Sequence, residues 1–182
     1  MTQYSDGELI DLFHNSDNPN YAFSLIVSKY QTKIYWHVRR LVIDHDDTSD
    51  IIQDVFVKAW QAFSNFRKDS AIYTWLYRIA TNEAISFLNK KKRRNFISFS
   101  DLEHTLSEKL ESDRFFTGDE IQKKLQKAIL TLPAKQRAVF NLRYYDEMKY
   151  DDMSKVLGKS EGALKANYHH AVNKVEEYLK NN

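Results

Sequence analysis

Apolar side chains recur at steps of three and four residues along most of this chain. Between residues 19 and 42 the recurring positions are Phe23, Ile26, Tyr30, Ile34, Val38 and Leu41. This spacing places them on one face of an α-helix. The 182 residues include only four glycines and two prolines, too few for the many tight turns of a β-rich fold. We therefore predict an all-α protein.

Composition excludes several classes of protein. The chain has no cysteine, which rules out disulfide scaffolds, thiolate zinc sites and cysteine nucleophiles. No apolar run approaches the roughly 20 residues that span a bilayer, and the acidic N-terminus lacks an apolar secretion segment. We expect a cytoplasmic protein, and the length allows one medium domain or two small helical ones.

Charge is strongly segregated although the net charge is only +2. Residues 44–54 carry five aspartates and no basic residue, and residues 101–120 carry seven acidic and two basic residues. Residues 67–94 carry eight basic and two acidic residues, and residues 121–182 carry twelve basic and seven acidic residues. Local patches of this kind, rather than net charge, determine the field that a partner meets.

Helical periodicity is lost between residues 95 and 118, where Ser, Thr, Asp and Glu accumulate. Such a composition is typical of a connecting segment. We therefore predict two small helical domains, residues 1–94 and 119–182, joined by a flexible acidic linker at 95–118 in which no helix is expected.

An acidic face is predicted on the helix that follows residue 44. Its apolar stripe is Ile51, Ile52, Val55, Phe56, Ala59, Trp60 and Phe63, and Asp47, Asp50, Gln53 and Asp54 fall on the opposite side. Helix capping with a solvated face is one explanation for the acids, and a surface for a basic partner is another. The DDxxD form of residues 46–50 also occurs in magnesium-binding prenyl-diphosphate enzymes, but the chain is too short for their cavity and has no second acidic motif.

Aromatic and basic residues alternate between residues 63 and 94. The helix that begins after Ser70 has a predicted core stripe of Ile72, Trp75, Leu76, Ile79, Ala80 and Phe87 and a polar face of Thr74, Arg78, Asn82 and Asn89. Aromatic rings can stack unpaired bases while basic side chains hold phosphates. Phe66 lies in the interrupted segment and is the better stacking candidate, whereas Trp75 and Phe87 are expected in the core. A solvated helix end is the alternative explanation for the basic run at 90–94.

Residues 150–178 have the proportions of a helix-turn-helix: a short helix, a turn containing Gly158, and a longer helix capped by Ser160. In that motif the second helix enters the major groove of DNA with its N-terminal residues. Gly162 and Ala163 are small enough for close approach of the backbone. Lys165 suits phosphate or guanine, and Asn167 suits adenine or phosphate. An ordinary helical hairpin has the same pattern.

The sequence gives no positive case for an enzyme. None of the six histidines has metal-ligand spacing, there is no glycine-rich phosphate loop, and no nucleophile is paired with a base. We predict no catalytic residue, no metal, no cofactor and no small-molecule substrate.

The order of these parts resembles bacterial RNA polymerase sigma factors of the extracytoplasmic-function (ECF) family. The likeness rests on three segments: residues 46–66 resemble the family's region 2.2, residues 70–94 resemble regions 2.3 and 2.4, and residues 132–175 resemble region 4. The resemblance covers nearly the whole chain. It implies a transcription initiation factor that binds core RNA polymerase, reads the minus-thirty-five element with a helix-turn-helix and melts and captures the minus-ten element. An anti-sigma factor is a further partner implied by the resemblance alone.

The resemblance also implies a role for individual residues. Polymerase would bind Asp46, Asp47, Asp50, Gln53 and Asp54. The minus-ten element would meet Asn65, Phe66, Arg67, Arg78, Asn82, Lys90 and Lys91. The minus-thirty-five element would meet Ser160, Glu161, Gly162, Ala163, Lys165, Asn167 and His169.

Two positions depart from the family pattern. Asn167 stands where the family commonly has arginine, which puts the detailed minus-thirty-five contacts in question, and Glu147 stands at a frequent glycine. The alternative function is a stand-alone helix-turn-helix regulator, which needs neither a polymerase-facing acidic helix nor single-strand contacts.

Overall fold

The computed structural model describes residues 4–66, 70–94, 96, 98–113 and 119–182. These residues form helices and short connections, and none of them lies in a β-strand, so the all-α prediction is confirmed. In chain order the helices are α1 (Asp6–Asn15), α2 (Pro19–Val42), α3 (His45–Phe63), α4 (Ile72–Arg94), α5 (Phe99–Ser112), α6 (Glu120–Leu130), α7 (Ala134–Tyr144), α8 (Tyr150–Leu157) and α9 (Glu161–Asn181).

Helix α2 is the centre of the N-terminal unit, since it packs against α1, α3 and α4. It begins at a good capping sequence: the Asn18 side chain accepts a hydrogen bond from the Tyr21 NH at 3.1 Å, and Pro19 occupies the first turn. Its stripe of Ile26, Ile34, Val38 and Leu41 is fully buried. The 3.6-residue period of the sequence therefore places this face in the core, as predicted.

Helix α4 is buried on two sides, which corrects the predicted faces. Thr74, assigned to the polar face, is buried and donates to Asp152 Oδ1 at 3.3 Å, and Tyr77 is also buried. Trp75 and Phe87, expected inside, are half-buried at the margin of the core. The cause is tertiary: α4 packs against α2 and α3 on one side and against α8 on the other, so a single apolar stripe does not describe it.

The segment predicted as a linker without a helix contains α5. Ser98 and the third helical residue, Asp101, form a reciprocal capping box, which initiates the helix. Leu102, Leu106 and Leu110 recur at four-residue steps and are buried. This short apolar stripe is hidden in the sequence among many polar residues, because only one position in four belongs to it.

Helices α6 to α9 form the C-terminal unit, and α8 and α9 are its helix-turn-helix. Gly158 ends α8 in the left-handed region at φ +61°, where its NH donates to the Ser154 carbonyl. Ser160 then caps α9 by accepting from the Ala163 NH at 3.3 Å. Leu164, Ala171 and Val175 of α9 are buried, as its periodicity predicts.

The two units pack directly against each other, α8 on α4 and α7 on α2 and α4. Arg137 of α7, only 2% exposed, donates to the Leu41 carbonyl of α2 at 2.8 Å. Gln126 of α6 donates to the carbonyl of Arg40 at 3.2 Å. Side chains of the C-terminal unit therefore satisfy carbonyls at the end of α2 that a helix terminus leaves without partners.

The turn between α7 and α8 includes a strained residue. Glu147 has φ +50°, in the left-handed region, which residues other than glycine adopt only at a cost in free energy. The family that the sequence resembles often has glycine at this position. Glutamate in its place therefore costs conformational free energy in the backbone.

Replacing Glu147 by glycine should therefore stabilise the protein. We expect Glu147→Gly to raise the free energy of unfolding by about 0.5–1 kcal/mol, or the thermal midpoint by about 2–3 °C, because relief of strain exceeds the entropy gained by the unfolded chain. Lys149→Gly is the matched control, since Lys149 is also exposed but has φ −69°. Calorimetry that shows equal shifts for both variants would contradict the strain at Glu147.

Candidate functional site

The acidic face of α3 is the surface of residues Asp46, Asp50, Gln53 and Asp54. All four are exposed, because Thr48, Ile51 and Val55 turn the opposite side of the helix into the core. Within the described residues Asp46, Asp50 and Asp54 take part in no ion pair. The face is therefore a negative surface whose carboxylates pair with no cation of the described residues.

Asp47, predicted to belong to the same face, is engaged inside the molecule. Its carboxylate accepts from Lys91 Nζ of α4 at 2.6 Å and lies 3.9 Å from Lys109 Nζ of α5. Lys109 also pairs with Asp44, the capping residue of α3. Partial burial acts to raise the pKa of the Asp44 carboxyl, but the Asp47 NH and the Lys109 ammonium outweigh it and hold that pKa below its usual value.

The sequence analysis missed an apolar extension of this face. Val57 is 54% exposed and follows Gln53 and Asp54 by one turn. Trp60, predicted in the buried stripe, is 38% exposed and packs edge-on against Phe13 and Phe23. The spacing from Asp54 to Val57 is the only signal in the sequence that could have placed Val57 on this surface.

The segment after α3 holds two of the three predicted base-capture residues within the described chain. Asn65 is exposed. Phe66 is half-buried, stacks in parallel on Phe63 with ring centroids 5.5 Å apart, and lies 5.2 Å from the Trp75 ring. Arg67 lies outside the described residues. Phe66 is thus held by neighbouring rings next to an exposed amide.

The predicted minus-ten residues of α4 fall into two groups. Arg78, Asn82 and Lys90 are exposed, which leaves their side chains accessible to a strand. Lys91 is half-buried and is held by Asp47, with its ammonium 5.4 Å from the Phe87 ring centre. The structure therefore brings Lys91 together with the acidic helix rather than with the other three residues.

The predicted reading surface of α9 is exposed along its first turns. Glu161, Gly162, Ala163, Lys165, Asn167 and His169 are all on the solvent side, together with the cap Ser160. A methyl group built at Gly162 would meet no atom within 4 Å, so this side offers a close approach to a partner. Lys165 lies 3.8 Å from Glu161 and 5.5 Å from the Tyr150 ring centre.

One residue of each predicted DNA-reading surface, Asn82 and Asn167, lines a cavity between the units. Its volume is about 530 Å³, and its walls include Asn82, Ile85 and Ser86 of α4 and Leu164 and Asn167 of α9. Pro133, Lys135, Gln136, Val139, Leu157 and Lys159 complete the lining. Residues proposed for two separate promoter elements therefore face a common space.

Neither a metal site nor a membrane-spanning helix occurs among the residues that the structure describes. No group of three or more His, Cys, Asp or Glu side chains there is arranged to hold a metal ion. None of the described helices contains an apolar stretch that could span a lipid bilayer.

Family models and known proteins match this chain over most of its length. The family model of sigma-70 region 2 matches residues 26–94, and the model of sigma-70 region 4 matches residues 122–175. The RNA polymerase sigma-H factor of Pseudomonas aeruginosa is 33% identical over 98% of this chain and 96% of its own length. The ECF RNA polymerase sigma-E factor of Escherichia coli is 31% identical over 90% of this chain and 88% of its own length.

Two solved structures share the fold. CnrH in complex with the cytosolic domain of CnrY has a TM-score of 0.69 at 23% identity, covering 97% of this chain and 98% of that one. The sigma factor RpoE with the anti-sigma factor NepR from Bartonella quintana has a TM-score of 0.67 at 22% identity, covering 87% and 96%. At these identities the likeness is one of fold.

Neutralising the acids of α3 one at a time should show which of them stabilise the folded protein. Asp47→Asn should lower the thermal midpoint by about 1–3 °C, because it removes a partly buried pair with Lys91. Asp46→Asn is the control in the same helical turn, since it loses the same interaction with the helix dipole but no ion pair, and it should lower the midpoint by less. Equal effects in thermal unfolding would mean that the Asp47 pair contributes nothing.

Proposed function

Because this chain belongs to the ECF group of RNA polymerase sigma factors, we propose that it binds core polymerase through the acidic face of α3 and reads promoters through α4 and α9. A factor of this family directs initiation of transcription at specific promoters. The observation that carries the residue assignments is the order along one chain of an exposed acidic helix, an aromatic and basic helix, and an exposed helix-turn-helix.

Polymerase binding is assigned to Asp46, Asp50, Gln53 and Asp54, with Val57 as an apolar contact beside them. Exposed like charges repel one another weakly in water, so a basic groove that approaches them gains attraction without first breaking an internal ion pair. Asp47 joins this surface only when Lys91 and Lys109 release it. That release gives the surface a second state with greater negative charge.

Capture of the minus-ten element is assigned to Asn65, Phe66 and Arg67, with Arg78, Asn82 and Lys90 along the strand. Lys91 joins them only when Asp47 releases it. Extruding a base costs a few kcal/mol of unpairing and unstacking. Stacking on an aromatic ring returns about 1–3 kcal/mol per base, and phosphate contacts add to it. The Phe63 and Trp75 rings support Phe66 from within, so the ring needs little ordering when a base arrives.

The minus-thirty-five element is assigned to the first turns of α9, entering the major groove. Gly162 and Ala163 let the backbone approach the duplex, and Lys165 meets a phosphate. Asn167, in place of the family's common arginine, presents an amide that pairs with adenine N6 and N7, whereas arginine pairs with guanine. The preferred minus-thirty-five sequence should differ accordingly from that of relatives with arginine.

The proposal also covers catalytic activity, cellular location and a regulatory partner. The protein has no catalytic activity of its own, because its contribution is binding energy applied to polymerase and promoter. It acts in the cytoplasm, where bacterial polymerase meets DNA. An anti-sigma factor is proposed as a further partner, supported by the likeness to CnrH bound to CnrY and to RpoE bound to the anti-sigma factor NepR.

Reversing two charges of the acidic face should weaken polymerase binding. We expect the double variant Asp50→Lys with Asp54→Lys to raise the Kd for core polymerase at least about tenfold, because attraction becomes repulsion. The control is Glu176→Lys with Glu177→Lys, an equal charge change at exposed positions near the end of α9. Binding can be measured by titration of labelled chain.

An unchanged Kd in the α3 variant, with native helix content by circular dichroism, would contradict the polymerase interface. Equal weakening in both variants would show a general effect of charge rather than contact at α3. Failure of the wild-type chain to bind a competent polymerase would favour the stand-alone regulator.

Removing the Lys165 ammonium should reduce the salt dependence of duplex binding. A protein that makes one phosphate contact fewer has a slope of log K against log salt that is smaller by about one. Lys165→Ala should show this change, whereas Lys180→Ala should not, although Lys180 makes a similar 3.8 Å pair with a glutamate four residues earlier. Identical slopes for wild type and Lys165→Ala would exclude a phosphate contact at that position.

A further inference from the structure

The cavity between the units has the size of a small-molecule site and an apolar floor. Its volume is about 530 Å³, and protein pockets that bury small ligands generally measure about 300–1,000 Å³ and often lie between domains. The floor has one side chain from each of four helices: Ile85 of α4, Val139 of α7, Leu157 of α8 and Leu164 of α9. Val139 and Leu164 are buried, and Ile85 and Leu157 pack half-buried against the same core. The apolar floor is therefore a continuous part of the hydrophobic core.

The charged groups at this cavity are basic. Lys135 of α7 and Lys159 of the turn between α8 and α9 line it, and its described lining contains no acidic residue. Both lysines are exposed, and neither makes an ion pair within the described part of the chain. An anion that enters the cavity therefore gains attraction to two ammonium groups without first breaking an internal ion pair. The charge of the lining selects a ligand of negative charge.

Amide side chains add hydrogen-bond donors to the same lining. Asn82, Gln136 and Asn167 each carry an NH2 group that can donate two hydrogen bonds. Their amide groups are not hydrogen-bonded to any of the described residues, so these donors are available to a ligand. A carboxylate or a phosphate accepts hydrogen bonds and also pairs with lysine. The polar part of the lining therefore fits an acidic head group.

We propose that this cavity binds a free aliphatic anion, with its hydrocarbon chain on the apolar floor and its carboxylate or phosphate head at Lys135 and Lys159. Both parts of the ligand contribute, because the floor attracts hydrocarbon through burial of apolar surface whereas the ammonium groups attract charge. The inference goes beyond the proposed function and does not depend on it, because neither polymerase nor promoter takes part in binding the anion.

The first test titrates the full chain with octanoate, an aliphatic carboxylate, below the concentration at which it forms micelles. Isothermal titration calorimetry should show one octanoate bound per chain. Neutral 1-octanol and inorganic phosphate should each bind at least about tenfold more weakly, because each satisfies only one part of the site. Octanoate that does not bind, or that binds no better than 1-octanol or no better than phosphate, overturns the proposal.

Removing the charge of the two cavity lysines should weaken this binding. Methionine keeps most of the lysine stem, so the double variant Lys135→Met with Lys159→Met should raise the octanoate Kd at least about tenfold by loss of charge alone. The control is Lys33→Met with Lys174→Met, an equal charge change at exposed residues that do not line the cavity. Equal weakening in both double variants, or none in the first with native helix content by circular dichroism, contradicts an anion site at these lysines.

The position of the ligand is tested in the wild-type chain, so the result does not depend on the folding of a variant. The side chains whose methyl NMR signals should shift as octanoate is added are Ile85, Val139, Leu157 and Leu164. The shifts should saturate with the Kd that calorimetry gives, whereas the methyl signals of Ile26, buried in the N-terminal unit away from the cavity lining, should stay unchanged. Shifts spread over the whole chain, or none at the apolar floor, overturn the site.

Discussion

Arg137 joins the two helical units through a charged group that is almost completely buried. Burial lowers the pKa of its guanidinium to about 10, so the group stays protonated at neutral pH. It donates to the carbonyls of Leu130 and Leu132 in its own unit and to that of Leu41 in the other. A buried cation without such acceptors would cost several kcal/mol. Arg137 therefore holds the α6–α7 connection to the end of α2, where Gln126 of α6 adds a second hydrogen bond to the carbonyl of Arg40.

The packing of the two units explains why some candidate residues are exposed to solvent and others are paired inside the molecule. Residues of α3 that face away from the rest of the molecule have carboxylates that pair with no described cation, whereas Asp47, beside α4 and α5, is paired with lysines. The exposed turns of α9 remain open to solvent, but Asn167 shares a cavity with α4. Contacts inside the molecule and contacts with partners thus compete for some of the same side chains.

Much of the fold could be predicted from periodicity, because α2, α3 and α9 each bury one stripe. The site surfaces of α3 and α9 followed from the same periodicity, since their polar residues lie opposite the stripe. Helix α4 was mispredicted because it is covered on two sides, and Thr74 is buried only where α8 supplies Asp152. Helix α5 was missed because three leucines at four-residue steps are diluted by polar neighbours. The Asp146 carboxylate is hydrogen-bonded to His37 and Tyr77, more than 60 positions away, which no local pattern reveals.

Transcription from purified components tests the central claim most directly. Core polymerase, the chain and a fragmented bacterial genome should yield transcripts whose start sites share two upstream sequence blocks at a fixed separation. Polymerase without the chain should not produce them. The account is contradicted if the same starts appear with or without the chain, while that polymerase responds normally to its main sigma factor.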